Sequence, residues 1–349
     1  MQDAPDAANE RTALPLDERA LAAYLRGRLE GCDGEVRARQ FPGGQSNPTY
    51  HLTCGDRAWV LRKKPPGKLL PTAHAVDREY RVMAALRDTD VPVPRAFLYC
   101  DDAALIGTEF VVIEFVAGRI FWDPTLPELT PSERAGVYAE MGRVLAALHQ
   151  VDYVARGLGD YGRPGNYFAR QIGRWTKQYV AARTDDLPSM ERLIAWLPEH
   201  VPDDEATRLV HGDFRLDNMI FHPTESRVLA VVDWELSTLG QPLADLAYNC
   251  MPYHLAQRGG QRLAVTARPA SGIPTEAEYL RRYCERSGRS SIPAWNFYLA
   301  FSLFRYASIV QCVYHRGLQG NASSAGEALR MRERTVAAAD TAWSLVESR

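Results

Sequence analysis

The spacing of hydrophobic residues changes along the chain, from helical at residues 16–30 to mostly alternating between residues 35 and 116. The segment TYHLTC alternates polar and apolar side chains, and Gly55-Asp56 then predicts a two-residue hairpin turn into RAWVLRKK. Thr72 can cap a helix through HAVDREYRVMAAL, and RAFLYC and EFVVIEFV supply two further strand patterns. We therefore expect an antiparallel sheet of five strands with one inserted helix.

From Pro131 onward the apolar spacing is helical, and only short strand-like segments interrupt it. This order predicts an α+β fold with a small antiparallel β lobe over residues 16–116, a larger helical lobe over residues 117–349, and a cleft between them. Residues 1–15 are acidic and rich in small side chains, so we expect a disordered lead-in there.

The composition argues against several classes of function. The 41 basic and 43 acidic residues give a net charge of -2 without long blocks of one sign, which argues against a nucleic-acid surface. No apolar run is long enough for a membrane helix, and the N-terminus has no hydrophobic signal segment. The six scattered cysteines include no CxxC pair, which favours reduced thiols over a zinc site. We expect a soluble cytoplasmic protein.

The segment HGDFRLDNMIF places polar groups between core-type residues. Asp213 and Asn218 stand five residues apart, and Asp233 follows at the end of the apolar run VLAVV. Phosphoryl transfer from a nucleotide needs a carboxylate to accept the hydroxyl proton, and a carboxylate with an amide oxygen to hold Mg²⁺. The order HxDxxxxN followed by a strand-borne Asp is typical of kinases. The alternative is a polar loop whose Asp and Asn cap turns.

The predicted sheet and helix carry an oppositely charged pair. Arg62 shares a strand face with Ala58 and Val60, whereas Lys63 lies on the other face and could replace it only through a bulge. Glu79 falls on the apolar stripe of the following helix, and a charge there needs a cation. Arg62 is the nearest candidate in a kinase plan; a solvated Glu79 on the helix flank is the alternative.

Two further segments could contact a bound nucleotide. A glycine pair in GGQSNPTY lets backbone N–H groups approach phosphates closely, although adjacent glycines more often mark a simple turn. The candidate residues of this flap are Gly43, Gly44, Gln45, Ser46 and Asn47. In FVVIEFVAG the carbonyl of Glu114 and the N–H of Val116 could bind an adenine edge. His211 is expected to organise its loop by hydrogen bonding, and Asp245 to act as a helix cap and loop tether.

These segments together resemble the aminoglycoside phosphotransferase and choline kinase superfamily, small-molecule relatives of protein kinases. The resemblance covers about residues 35–320 and rests on GGQSN, VLRK, Glu79, IEFVAG, LHQVD, HGDFRLDN, VVDWE and PLADLAY. Within the superfamily, GKLLPTAHAVDREYRV and YGRPGNYFARQIGRWTKQY are most similar to the kinase-like domain associated with acyl-CoA dehydrogenases (family members ten and eleven in animals).

The resemblance implies a bilobal protein-kinase-like fold and ATP-dependent phosphorylation of the hydroxyl of a 4-hydroxyacyl-CoA. It implies Asp213 as the catalytic base, Asn218 and Asp233 as Mg²⁺ ligands, and Arg62 with Glu79 as the pair that positions the phosphates. Arg62 stands where most relatives have lysine, and its planar fork keeps phosphate binding but changes the geometry. An acyl-CoA dehydrogenase is a possible partner.

Three alternatives remain open to different degrees. A protein kinase is disfavoured because residue 212 is glycine, and because eleven residues between Asp233 and Asp245 leave no room for an activation segment. A non-catalytic nucleotide-binding protein would be expected to lack at least one of the residues proposed for catalysis. All four are present in this sequence: Glu79, Asp213, Asn218 and Asp233. A kinase of another small alcohol, such as choline, an aminoglycoside or a sugar-like acceptor, is the second choice.

A basic helix face is the candidate substrate element. In NYFARQIGRWTKQYV the apolar residues recur with helical spacing: Phe168, Ile172, Trp175 and Tyr179. Cationic residues fall on the opposite side: Arg170, Arg174 and Lys177. With Arg163 in the preceding turn, this face could attract the phosphates of a CoA thioester, whereas the alternative is a solvated basic flank.

Overall fold

The computed structural model describes residues 16–41, 47–65, 75–204, 206–256, 262–318 and 325–347. These residues form two compact units. The strand-rich unit contains the described residues up to Asp88, Val93–Ala117 and Val232–Glu235. The helix-rich unit contains Thr89–Pro92, Gly118–Val231 and the described residues from Leu236 onward. The assignment of residues 16–116 and 117–349 to two functional domains stays a prediction.

The strand-rich unit is built on a five-stranded antiparallel sheet in the order β1-β2-β3-β5-β4. Its strands are β1 Val36–Gln40, β2 Thr49–Cys54, β3 Arg57–Lys63, β4 Ala96–Cys100 and β5 Phe110–Glu114. The predicted hairpin is confirmed, because Cys54 pairs with Arg57 across the two-residue turn. Gly55 takes a φ of 57°, a left-handed conformation that glycine adopts without a steric penalty.

Three helices accompany this sheet: α1 Glu18–Leu25, α2 Val76–Leu86 and α3 Ala103–Ile106. The prediction that Thr72 caps α2 is wrong, since the helix begins at Val76 after Ala75; Thr72 itself lies outside the described residues. Helix α3 was not predicted from the sequence. It is a single turn capped by the Asp102 side chain and ended by a left-handed Gly107, and four residues are too few for a helical period.

Alternation along β3 places Trp59, Leu61 and Lys63 on a buried face and Arg62 with Ala58 and Val60 on a half-buried face, as predicted for Arg62 and Lys63. Trp59 and Leu61 are buried and pack with residues of α1 and β5, including Leu21 and Phe110. Each such apolar side chain contributes about 1.5 to 3 kcal/mol when fully buried, which fixes the register of the strand. Arg62 therefore projects from the opposite face, where the charged residues of the unit meet.

The helix-rich unit contains eight helices within the described residues: α4 Pro131–Gln150, α5 Tyr167–Ala182, α6 Pro188–Glu199, α7 Pro242–His254, α8 Leu263–Thr266, α9 Glu276–Ser287, α10 Trp295–Arg316 and α11 Ala325–Glu347. Helix α4 starts at a capping box between Thr130 and Glu133, with Pro131 in the first turn. Helix α10 is the apolar centre of the unit and packs against α5, α7 and α11.

Two short antiparallel pairs interrupt the helices, as the strand-like segments predicted. Strand β6 Arg208–Val210 pairs with β9 Thr238–Gly240, and β7 Met219–Phe221 pairs with β8 Val228–Val231. A mainly antiparallel sheet followed by a mainly helical region is the predicted α+β class. Within the described parts of the chain, no helix combines the length and the apolar character needed to cross a membrane.

Candidate functional site

The loop 211–218 in the helix-rich unit is anchored at both ends by fully buried strands. Leu209 and Val210 of β6 precede it, and Met219 and Phe221 of β7 follow it, all at 0% exposure. The apolar residues on each side leave the chain little freedom to shift. The polar side chains between them are consequently held at fixed positions beside the hydrophobic interior.

Asp245 tethers this loop from α7. Its carboxylate accepts hydrogen bonds from the backbone N–H of His211 at 2.5 Å and of Gly212 at 2.8 Å. Burial alone would raise the pKa of Asp245, but the His149 ring, whose Nε2 lies 3.6 Å from the carboxylate, and the backbone N–H of His211 hold that pKa below its usual value. The predicted loop tether is therefore present. The predicted helix cap is wrong, because Gln241 caps α7 and Asp245 lies within its first turn.

His211 and Gly212 shape the backbone ahead of Asp213. The His211 ring is fully buried, and its Nδ1 accepts the N–H of Asp213 at 3.2 Å, the organising role expected of it. Gly212 has a φ of 82°, and a Cβ there would lie 2.5 Å from the carbonyl oxygen of Leu236. Only glycine fits this position without strain, which explains why an arginine cannot occupy it.

Asp213 is surrounded by hydrogen-bond donors and keeps 16% of its side chain exposed. The Asn218 amide nitrogen donates to the Asp213 carboxylate at 3.0 Å and to its backbone oxygen at 2.9 Å. Arg215 Nε lies 3.4 Å from the same carboxylate. Because the Asn218 nitrogen is committed to Asp213, its amide oxygen is the atom that can bind a cation.

Tyr248 of α7 lies close enough to Asp213 for the carboxylate to act on its hydroxyl electrostatically. Burial and the nearby Asp213 carboxylate raise the pKa of Tyr248, so the hydroxyl stays protonated. Sequence reasoning missed this residue, because thirty-five positions separate it from Asp213 and no local spacing links the two.

A separate charged cluster lies in the strand-rich unit. Arg62 Nε lies 3.2 Å from Glu79, and its terminal nitrogen lies 3.0 Å from Asp233. The predicted contact between Arg62 and Glu79 is therefore present, and the same guanidinium also reaches Asp233. Lys63 lies on the core side, where its Nζ donates to the Ile106 carbonyl at 3.1 Å.

Glu235 completes the cluster and was missed by sequence reasoning. One carboxylate oxygen of each of Glu79, Asp233 and Glu235 lies within 4.8 Å of the others. Asn47 links two of them, with its amide nitrogen 3.0 Å from Glu79 and 3.4 Å from Glu235. The signal available in the sequence was the DWE spacing, which places a second carboxylate two residues after Asp233.

The backbone and electrostatics of this cluster are unusual. Asp233 has a φ of 67°, a left-handed conformation rare for residues other than glycine and often found at functional sites. Burial is the main cause that raises the pKa of Glu79, to about 7, and the two neighbouring carboxylates act in the same direction. Three carboxylates against one guanidinium leave a formal excess of negative charge. Oxygen donors with this excess suit a hard divalent cation such as Mg²⁺.

The remaining nucleotide candidates are only partly described. Gly43, Gly44, Gln45 and Ser46 lie outside the described residues. Glu114 ends β5, its side chain accepts the Arg95 N–H at 3.0 Å, and Val116 follows the strand. Their predicted contact with adenine stays a prediction.

Helix α5 has the predicted apolar face, with Phe168, Ile172, Trp175 and Tyr179 buried. Its cationic residues differ in their surroundings. Arg170 donates to the carbonyls of Gly165 and Arg163, so it fastens the preceding turn. Arg163 and Lys177 are exposed. Arg174 lies at the surface with its guanidinium 5.1 Å from the Trp175 ring centre.

Arg305 of α10 is a third residue that sequence reasoning missed. It is 5% exposed and donates to the Gly212 carbonyl at 2.5 Å. Its guanidinium lies 5.4 Å from the Trp175 ring centre and 5.1 Å from that of Tyr248. The signal was a lone cation in the apolar run FSLFRYASIV, a position where a charge needs a reason.

A cavity of about 510 Å³ in the helix-rich unit lies away from Asp213. His149, Arg208, Tyr283 and Arg289 are among its lining residues, and Asp213 is not. Since Arg289 is already paired with Asp204, this cavity has less free positive charge than its two arginines suggest.

Comparison with known proteins gives matches over most of the chain. Residues 37–283 match the model of the phosphotransferase enzyme family. Acyl-CoA dehydrogenase family member 10 of Mus musculus is 49% identical over 345 residues, which are 97% of this chain and 32% of that protein. Acyl-CoA dehydrogenase family member 11 of Homo sapiens is 47% identical over 314 residues, which are 88% of this chain and 40% of that protein. The chain thus spans about a third to two-fifths of these relatives.

Solved structures give the same result. A Ralstonia eutropha JMP134 protein, described provisionally as an aminoglycoside phosphotransferase, is 48% identical with a TM-score of 0.87, over 96% of this chain and 99% of that one. A thermostable mutant of aminoglycoside phosphotransferase APH(4)-Ia, in ternary complex with ADP and hygromycin B, has a TM-score of 0.60 at 15% identity, over 93% of this chain and 98% of that one. The second likeness shows the fold alone, and that fold is the predicted protein-kinase-like α+β type. Because the family model and these relatives match most of its length, the chain belongs to the phosphotransferase enzyme family.

Proposed function

We propose that the protein transfers the γ-phosphoryl group of ATP to the hydroxyl of a small molecule in the presence of Mg²⁺. The observation that carries this proposal is the joint contact of Arg62 with Glu79 and Asp233, three residues far apart in sequence. A cation bonded to a helix carboxylate and to a strand-end carboxylate is the arrangement that kinases use around the phosphates of the nucleotide. The ADP in the APH(4)-Ia complex supports a nucleotide donor.

Asp213 is the proposed base. Its carboxylate would accept the proton of the attacking hydroxyl while the oxygen attacks the γ-phosphorus. Asn218 donates to this carboxylate and so fixes its orientation before the acceptor arrives. Asp245 keeps the loop in place through two backbone N–H groups. The residues around Asp213 therefore position one side chain without moving protons themselves.

The proposed Mg²⁺ ligands are Asp233 and Asn218, to which the structure adds Glu235 as a candidate. The bound ion would neutralise charge on the transferred phosphoryl group. Arg62 would bind phosphate oxygens through the part of its planar fork that faces away from Glu79. The flap residues Gly43 to Asn47, with Glu114 and Val116, remain proposed contacts of the nucleotide.

A 4-hydroxyacyl-CoA is the acceptor we propose first. The support is the similarity to proteins named acyl-CoA dehydrogenase family members, together with the exposed cations Arg163 and Lys177, which suit the phosphates of CoA. A dehydrogenase partner is part of the same proposal. Hygromycin B in the APH(4)-Ia complex favours an aminoglycoside as the second candidate, but such polycations would meet arginines here.

The test is product formation from ATP and Mg²⁺ with four acceptors: a 4-hydroxyacyl-CoA, the free hydroxy acid, choline and an aminoglycoside. Mass spectrometry should detect a phosphate ester of the CoA thioester and no ester when Asp213→Asn replaces the wild-type protein. Phosphorylation of choline or the aminoglycoside alone would replace the acceptor assignment. Absence of any phosphate ester above the level of the variant would refute the kinase activity.

A further inference from the structure

Arg305 carries a buried positive charge without an acidic partner. Among the residues the structure describes, no carboxylate lies within 4.0 Å of its nitrogens, and its Nε–H has no hydrogen-bond acceptor. Its one hydrogen-bond acceptor is the neutral carbonyl of Gly212. Buried charges in proteins are normally paired, so an unpaired guanidinium next to a proposed base points to a missing anion or strong acceptor.

Arg174 adds a second charge of the same sign. Its guanidinium and that of Arg305 both lie against the Trp175 ring, at 5.1 and 5.4 Å from the ring centre. Desolvation and the positive charge of Arg305 lower the pKa of Arg174, which shows that the two cations repel each other. A ligand that accepts hydrogen bonds from both would remove this repulsion.

This pair is linked to Asp213 by two short routes. Arg305 bonds the carbonyl of Gly212, the residue directly before Asp213. Arg305 also lies against the ring of Tyr248, a residue near enough to Asp213 for the carboxylate to raise the pKa of its hydroxyl. A group bound by Arg305 would therefore lie close to the loop that positions Asp213.

We propose that Arg305 and Arg174 bind the carboxyl-level oxygens of a hydroxy-acid acceptor, as the free carboxylate or as the thioester carbonyl. This inference rests on the proposed kinase function and narrows its acceptor. The arginine fork matches two oxygens on one carbon, and it holds that carbon while the hydroxyl a few carbons away faces Asp213. Choline and aminoglycosides carry positive charge where this site needs an oxygen acceptor.

A matched set of acceptors tests the inference. 4-Hydroxyvalerate provides the carboxylate, its N-acetylcysteamine thioester provides the carbonyl without CoA phosphates, and secondary pentanol lacks both. We expect wild-type kcat/KM to favour the first or second compound over pentanol by on the order of 100-fold, since charged hydrogen bonds of this kind discriminate strongly. Which of the two is preferred identifies the source of the oxygen.

Two variants test whether the arginines recognise the acceptor. Arg174→Gln and Arg305→Lys should each reduce the preference for the carboxyl-bearing acceptor by about 10-fold, with an unchanged KM for ATP. Lys can still donate to the Gly212 carbonyl, so Arg305→Lys separates loop support from recognition of the acceptor. Arg192→Gln is the matched control, because Arg192 also lies over an indole, 5.4 Å from the Trp343 ring centre, but at another surface.

An unchanged preference in both variants, or an equal loss for pentanol and the carboxyl-bearing acceptors, would overturn the inference. If no acceptor is phosphorylated, the kinase proposal fails, and calorimetric binding of 4-hydroxyvalerate and the thioester then decides the inference by itself. Binding that weakens in Arg174→Gln and Arg305→Lys but not in Arg192→Gln supports it. No binding of either compound to the wild-type protein refutes it.

Discussion

The two charged clusters of the molecule are unbalanced in opposite directions. In the strand-rich unit, Arg62 is bonded to Glu79 and Asp233 while Glu235 lies beside them, so carboxylates outnumber cations. In the helix-rich unit, the guanidinium groups of Arg305 and Arg174 both lie within 5.4 Å of the Trp175 ring centre, and neither forms an ion pair with a carboxylate of the described residues.

The difference indicates what each cluster binds. Excess carboxylates favour a divalent cation and, through it, the phosphates of a nucleotide. Excess guanidinium groups favour an acceptor that brings carboxylate or carbonyl oxygens. A kinase of polycationic antibiotics would be expected to carry excess carboxylates where Arg305 and Arg174 lie. The excess of guanidinium groups therefore favours the proposed hydroxy-acid acceptor over such antibiotics, although the fold is shared.

The largest effect is expected at Asp213. Asp213→Asn should lower kcat by about 10²- to 10⁴-fold, because the amide cannot accept the hydroxyl proton. Affinity for Mg-ATP should stay near the wild-type value, as measured by calorimetry. A kcat within a few-fold of wild type would remove Asp213 from the role of base.

Next in size is the loss of Arg62. Arg62→Met should reduce the free energy of unfolding by about 3 to 5 kcal/mol, because it leaves the buried Glu79 carboxylate without its cation. Urea unfolding measures this loss. Added Mg²⁺ should restore more stability to the variant than to the wild type, since the ion can replace the guanidinium.

The double variant Arg62→Met with Glu79→Gln is the control for that experiment. It should recover part of the lost stability, because no unpaired buried carboxylate remains. If Arg62→Met alone unfolds at the wild-type urea concentration, the cluster does not depend on this ion pair.

A smaller effect is expected at Gly212. Gly212→Ala should cost at least about 1 to 2 kcal/mol, from the left-handed backbone and from the contact of the new Cβ with the Leu236 carbonyl. Gly173→Ala is the matched control within α5, where a Cβ meets nothing within 4 Å. That change should stabilise the helix by about 0.5 to 1 kcal/mol. Equal thermal midpoints for the two variants would contradict the account of Gly212.

Part of the fold and of the candidate site could be predicted from the sequence. The contact of Arg62 with Glu79 was predictable, because strand alternation excluded Lys63 and helical spacing turned Glu79 toward the core. The five-stranded sheet was predictable for the same reason, with Gly55-Asp56 marking its hairpin. Local periodicity was sufficient wherever an element was long enough to repeat its pattern.

Contacts between distant segments were not predictable. Tyr248 and Arg305 reach the loop of Asp213 from α7 and α10, and no spacing rule connects such positions. Glu235 follows the end of a strand, where the left-handed backbone at Asp233 changes the direction of the next side chains. Helix α3 is too short to have a period.

The smallest effect is expected at Lys177, an exposed residue of α5. Lys177→Gln should raise KM for a 4-hydroxyacyl-CoA by about 2- to 3-fold at low salt, and the increase should disappear at high salt as the charge is screened. KM for the free hydroxy acid, which has no CoA phosphates, should not change. An increase that persists at high salt would point to a direct contact instead of long-range attraction.

One cluster has an excess of carboxylates and the other an excess of guanidinium groups. The most direct test of this difference is a calorimetric titration of each variant with two ligands. Wild type, Asp233→Asn and Arg174→Gln are each titrated with the Mg²⁺ complex of a non-hydrolysable ATP analogue and with the 4-hydroxyvalerate thioester. We expect Asp233→Asn to weaken binding of the nucleotide complex without affecting the thioester, and Arg174→Gln to weaken binding of the thioester without affecting the nucleotide complex. If both variants weaken binding of the same ligand, or neither weakens either, the assignment of a cation to one cluster and of carboxyl oxygens to the other is wrong.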